Sequence, residues 1–265
     1  MADRLEDLAG EFDVDAVDPD AYVVRFKDTH RDAHFGASSQ PVRAADGDRV
    51  LVTVSARQFV LGVMDLHASL AHEFIHGLMR EQMGTARYRA LPPWVREGIA
   101  VWGSDQLGER ARNVIAAAFL QERDPLAVLA ELDDAGAGSD DYLHDALLFA
   151  YLERSRGPGA VRKLVALLVG GTAPREAFEQ VAGHGWYELL EKSHGYARGF
   201  FSALLASSGL GTFQAAQRLY DWGARDQALA LLEEMVAGHA GSILEPNAWY
   251  WIGRWRSEAG RYAEA

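Results

Sequence analysis

The sequence predicts an α+β protein with a helical tail, on three observations. Runs rich in β-branched and aromatic residues are confined to the first 55 positions, apolar residues recur at helical spacing from about Asp65 onward, and the tail carries an internal repeat. Strands early and helices late are the α+β order, not the alternation that builds a parallel βαβ sheet.

The elements follow in order. Residues 1–20 form an acidic lead with neither the cationic start nor the apolar stretch of a secretory signal. Two short strands are expected at Tyr22–Phe26 and Arg49–Ser55, separated by a stretch rich in Gly, Ser, Pro and Asp. Leu66, Leu70, Phe74, Leu78 and Met79 then mark a helix that ends at Gly84, a suitable C′ residue. After Leu91-Pro-Pro-Trp94, Pro93 is placed to open a second helix that runs to about Ser104. Further helices are expected at about 108–121, 125–132, 142–155, 158–169, 174–182 and 185–205, with the acidic loop Asp133–Asp141 interrupting the series.

The tail reads as a repeat of period 37, with Gly260 following Gly223 and Ala265 following Ala228. In the second copy Trp249, Ile252, Gly253, Gly260, Tyr262 and Ala265 stand where a tetratricopeptide pattern wants its Trp, Leu, Gly, turn Gly, aromatic and Ala. Such units bury their apolar faces only by stacking, so more repeats are expected to follow in a longer natural chain. Trp249, Trp251 and Trp255 are assigned to the core of this unit, with a partner surface as the alternative.

Composition narrows the function. At 265 residues and 49% hydrophobic, the chain can bury one sizeable core and a smaller second unit. A net charge of −12 disfavours nucleic acid, whose phosphates are held by clustered Lys and Arg. There is no cysteine, so a metal would have to sit on His and carboxylate. No run reaches the ~18 apolar residues of a membrane helix. A cytoplasmic protein with neither membrane nor nucleic-acid partner is the expectation.

The chemistry is concentrated in "AHEFIHG" at residues 71–77. Positions four apart on a helix differ by about 40° in direction, so His72 and His76 share a face and can hold one ion. Glu73 lies about 100° round from His72, free of the metal yet near enough to take a proton from water. Two imidazoles leave a catalytic zinc one protein ligand short. Glu97, 21 residues after His76 and set between Trp94 and the apolar run Ile99–Trp102, can supply it, and burial of that carboxylate would be costly without a cation.

The segments "LAHEFIHGLMR" and "LPPWVREGIAVW" resemble the gluzincin metallopeptidases, most closely compact peptidase-MA-like domains in which a W-x-x-E-G-x-A helix follows the H-E-x-x-H helix. The similarity spans about residues 20–200, its two metal motifs being the specific part. It implies a zincin-like domain over 21–205 with a small N-terminal sheet and a helical lobe, followed by tetratricopeptide-like hairpins over 206–265. It implies one zinc held by His72, His76 and Glu97, and hydrolysis of peptide bonds by zinc-bound water activated by Glu73. It also places a donor to the carbonyl oxygen on the helix after the acidic loop, where Tyr142 is the candidate, ahead of His144 and Tyr151.

One position departs from the pattern. In thermolysin-like relatives an Asp four residues after the third ligand orients a histidine; here that residue is Val101, and Asp105 lies further on. The hydrogen-bond partners of the two imidazoles are thus unassigned. The remaining histidines, His30, His34, His67, His184, His194 and His239, pair into no site. An extended peptide substrate is expected to pair along the strand at 49–55, taken as a sheet edge. Two other functions compete: an interaction protein that binds a partner through its repeats, and a zinc hydrolase of non-peptide amides or esters.

Overall fold

The computed structural model describes residues 8, 10, 19–27, 37–44, 47–60, 65–120, 123, 142–206, 209–242 and 244–264. Three strands, β1 (Tyr22–Lys27), β2 (Ala37–Ala44) and β3 (Gly47–Ser55), form a sheet of order β1-β3-β2, with β1 parallel and β2 antiparallel to β3. Helices follow: α1 (Ala56–Val60), α2 (Leu66–Met83), α3 (Thr85–Ala90), α4 (Pro93–Gly103), α5 (Leu107–Leu120), α6 (Leu143–Arg156), α7 (Ala160–Val169), α8 (Pro174–Ala182) and α9 (Trp186–Ala206). The tail adds α10 (Leu210–Asp221), α11 (Arg225–Gly238) and α12 (Glu245–Glu258). Among the described residues the protein is thus mostly helical with one small sheet, consistent with the α+β expectation. No described helix is long and apolar enough to cross a membrane. The expected helix at 125–132, the loop 133–141, His30, His34 and most of the acidic lead lie outside the described residues.

The sheet corrects one expectation. The strand at 49–55 is not an edge: β3 is flanked on both sides, with Val52 and Val54 fully buried. The edge beside it is β2, whose sequence ASSQPVRA has little of the β-branched alternation that marks a strand. Pro41 pairs opposite Val50, and an edge is where a strand tolerates proline.

The chain divides into two compact units, residues 1–107 with 136–193, and residues 108–135 with 194–265. The division passes inside α9 and groups α5 with the tail.

In the first unit α2 is central. Asp65 caps its start, accepting from the Ala68 N–H at 3.0 Å, and every residue from Ala71 to Met79 is buried. The helix packs against β2, β3 and α4, and α4 in turn packs against α6. Two glycines on these helices make room for neighbouring rings. A Cβ at Gly77 would lie 2.7 Å from the Tyr22 ring, and one at Gly98 would lie 2.5 Å from the Phe149 ring. Beneath α4, Trp94, Phe149, Phe178 and Trp186 pack ring against ring.

In the second unit α11 packs against both α10 and α12. Gly223 and Gly260 both adopt positive φ, and the turns around them have matching hydrogen bonds: Gly223 to Tyr220 and Ala224 to Leu219, Gly260 to Ser257 and Arg261 to Arg256. Tyr220 stacks on Trp255 with ring centroids 4.2 Å apart. Trp251 and Trp255 are buried, whereas Trp249 is half exposed.

Candidate metal centre

His72, Glu73 and His76 project from the buried stretch of α2, each less than 8% exposed. Glu97 comes from the middle of α4, whose start is set by Pro93 at the first turn. The two helices bring Nε2 of His72 and Nε2 of His76 to 3.1 Å of each other, and each of them to 3.3 Å from Oε2 of Glu97. The three residues named from spacing alone are therefore one cluster, and no other group of this kind occurs among the described residues.

The spacing fits an ion. Zinc bonds of about 2.0–2.1 Å at tetrahedral angles separate neighbouring donors by about 3.3–3.4 Å. Three donors 3.1–3.3 Å apart correspond to one face of such a tetrahedron, and no further donor joins them among the described residues. Two nitrogens and one carboxylate oxygen are also the donor types a cysteine-free site must use.

Electrostatics follow from burial. Burial holds His72 below the usual histidine range and so keeps its imidazole neutral, as a metal ligand must be. Burial also works against the charge of Glu97, but its hydrogen bonds and charge interactions with His72 and His76 outweigh it and hold this carboxyl well below the usual range. Glu73 moves the other way. Its burial raises the pKa, against the opposing pull of His72, a hydrogen bond with Ser39 and the charge of Arg80. Two neighbouring carboxyls are thus shifted in opposite directions, Glu97 toward its ionised form and Glu73 toward its protonated form.

Three residues around the cluster had no sequence signal of their own. The Tyr88 hydroxyl lies 2.7 Å from Nδ1 of His76, and burial pushes this phenol up to about 12. Arg80 donates to the Ser39 hydroxyl at 3.1 Å and to its carbonyl at 3.3 Å, so β2 is fastened to the metal helix. Ser39 could not be found because its strand was not expected, and Tyr88 sits on a helix defined only after the turn at Gly84. Val101 is fully buried, and Asp105 is exposed in the turn after α4, so neither supplies a histidine with a carboxylate.

Tyr142 immediately precedes α6 at its N-cap and is partly buried, as are His144 and Tyr151 on that helix. His67 is exposed, as its angular offset from His72 predicts, and His184, His194 and His239 join no cluster. No protein-family model, curated protein or solved structure matches this chain.

Proposed function

We propose that the protein is a zinc-dependent metallopeptidase of the gluzincin type, with the tail forming tetratricopeptide-like hairpins. The observation that carries the reading is the donor triangle of His72, His76 and Glu97, 3.1–3.3 Å on a side, with the buried carboxyl of Glu73 on the same helix.

When bound, the zinc supplies a Lewis acid that acidifies water and polarises a carbonyl. His72, His76 and Glu97 hold it. Glu73 takes the proton from the attacking water and passes it to the departing amine nitrogen, which requires a carboxyl able to be both base and acid near neutral pH. Burial raises the Glu73 carboxyl above its ordinary range, in the direction that role needs, and a hydrogen bond with Ser39 opposes part of the rise. Tyr142 is assigned as donor to the carbonyl oxygen as charge develops there. The strand available to an extended peptide beside this helix is β2, whose outer edge pairs with no described strand.

A peptidase needs Glu73, whereas a zinc site kept only for structure does not, which weighs against a pure interaction role. For the tail, support comes from the two glycine turns 37 residues apart with the same hydrogen-bond pattern. A protein partner bound through that unit is compatible with the enzyme reading and is a separate property.

The test is elemental analysis of wild type and Glu73→Gln, each then incubated with a mixed peptide library and read by mass spectrometry. One zinc in each protein with cleavage only by wild type is the expected result. Zinc in both with cleavage by neither would move the substrate to a non-peptide amide or ester, and absence of zinc from wild type would refute the reading.

A further inference from the structure

The two imidazoles of the cluster are held unequally. Nδ1 of His72 is buried and meets no hydrogen-bond partner among the described residues. Nδ1 of His76 lies 2.7 Å from the Tyr88 hydroxyl. Both Nε2 atoms face Glu97 and each other, so these are the atoms that an ion would take. A neutral imidazole carries one proton, and a ring that gives its Nε2 lone pair to a metal must carry that proton on Nδ1. The Tyr88 oxygen stands where the proton has to be donated.

We propose that Tyr88 is the positioning residue of the metal centre, its hydroxyl oxygen accepting the Nδ1 proton of His76 and so fixing that ring with Nε2 toward the ion. The inference rests on the metal-site reading above and is independent of whether the substrate is a peptide.

Tyr88 is itself held firmly. Its side chain is 2% exposed and meets the His76 ring edge to face at 6.1 Å between centroids. The Arg80 guanidinium lies 4.8 Å from the Tyr88 ring centroid and that of Arg96 lies 5.5 Å away. Arg80 is four residues after His76 on α2, and Arg96 directly precedes Glu97 on α4. The phenol is therefore gripped from both helices that carry ligands. The chain returns to His76 because Gly84, at φ 79°, breaks α2 and starts α3 in a new direction.

The choice of partner has a chemical consequence. A carboxylate behind a metal-bound histidine raises the basicity of the ring. A neutral phenol orients the ring with less of that effect, so His76 is a firmly directed but weaker donor than in a carboxylate-backed site.

Tyr88→Phe keeps the ring and removes only the acceptor. Zinc dissociation constants from competition with a chromophoric chelator should rise about 10- to 100-fold in this variant, with the far-UV circular dichroism of the metal-free protein unchanged. An affinity within about twofold of wild type overturns the role of Tyr88 while leaving the metal site standing. A wild-type protein that takes up no zinc overturns both. A second measurement needs no variant: in zinc-loaded wild type labelled with 15N-histidine, the nitrogen spectrum of His76 should show a protonated Nδ1 and a coordinated Nε2. Coordination through Nδ1, or a proton on Nε2, overturns the proposal.

Discussion

A methyl group added at Gly98 would lie 2.5 Å from Cε2 of Phe149, 3.0 Å from its Cδ2 and 3.2 Å from the backbone carbonyl carbon of Asp145. Carbon atoms in contact prefer about 3.5–4.0 Å, so the overlap with the ring is about 1 Å. Phe149 is fully buried and packs on Phe178 at 5.2 Å between centroids, so the ring has little room to turn aside. Either Phe149 leaves its rotamer or α4 and α6 move apart. Overpacking of this kind costs about 1–3 kcal/mol. Alanine recovers about 0.5–1 kcal/mol over glycine inside a helix, so Gly98→Ala should lose up to about 2.5 kcal/mol net. Glu97 is the preceding residue and moves with the helix. Zinc sites tolerate only about 0.2 Å in ligand distance, so zinc affinity should fall as well. Gly195→Ala, within α9 and with nothing within 4 Å of its added Cβ, is the control and should gain about 0.5–1 kcal/mol. Urea unfolding of the metal-free proteins and chelator competition for zinc measure both effects. Gly98→Ala as stable as Gly195→Ala, with zinc affinity within about twofold of wild type, would refute the argument that this contact places the third ligand.

Further outcomes are expected. Glu97→Gln should weaken zinc binding by more than the ~10- to 100-fold typical of an outer-shell partner, measured by the same competition, and a smaller loss would remove Glu97 from the ligand set. In the metal-free protein Glu97, with its depressed pKa, contributes stability above the ordinary carboxylate range that is lost as pH falls through its folded value. His72, also depressed, adds a loss that begins below the ordinary histidine pKa of about 6.5. Glu73 has the opposite sign: its raised pKa favours folding in acid and costs stability as pH rises through the folded value. Metal-free Glu73→Gln should therefore be more stable than wild type at pH 7, with the advantage shrinking toward pH 4; denaturant titrations showing no advantage, or one that grows in acid, would contradict this. Tyr142→Phe should lower the turnover number with little change in zinc content, and turnover within about twofold of wild type would end its assignment as the carbonyl donor.

The parts of this protein that were legible in the sequence are those governed by local rules. Helical periodicity, an Asp at the start and a Gly at the end define α2, and the i, i+4 spacing alone puts His72 and His76 on one face. Proline at the first turn locates α4, and its acidic residue amid apolar neighbours singles out Glu97. Ser39 and Tyr88 belong to the other class. β2 has too little alternation to stand out, because an exposed edge strand is held by the ladder to β3 and not by a buried face of its own. Tyr88 looks like an ordinary aromatic on a six-residue helix.

By itself, then, the sequence determined which residues could bind a metal, because ligand identity and helical spacing are properties of a few consecutive positions. Tertiary structure decided that Glu97 meets the two imidazoles at 3.3 Å, that Glu73 is buried, and that a phenol and not a carboxylate backs His76. Those facts depend on how α2, α3, α4 and β2 pack, with Gly77 and Gly98 admitting the rings of Tyr22 and Phe149. Close packing couples positions far apart in the chain, and no local pattern records that coupling.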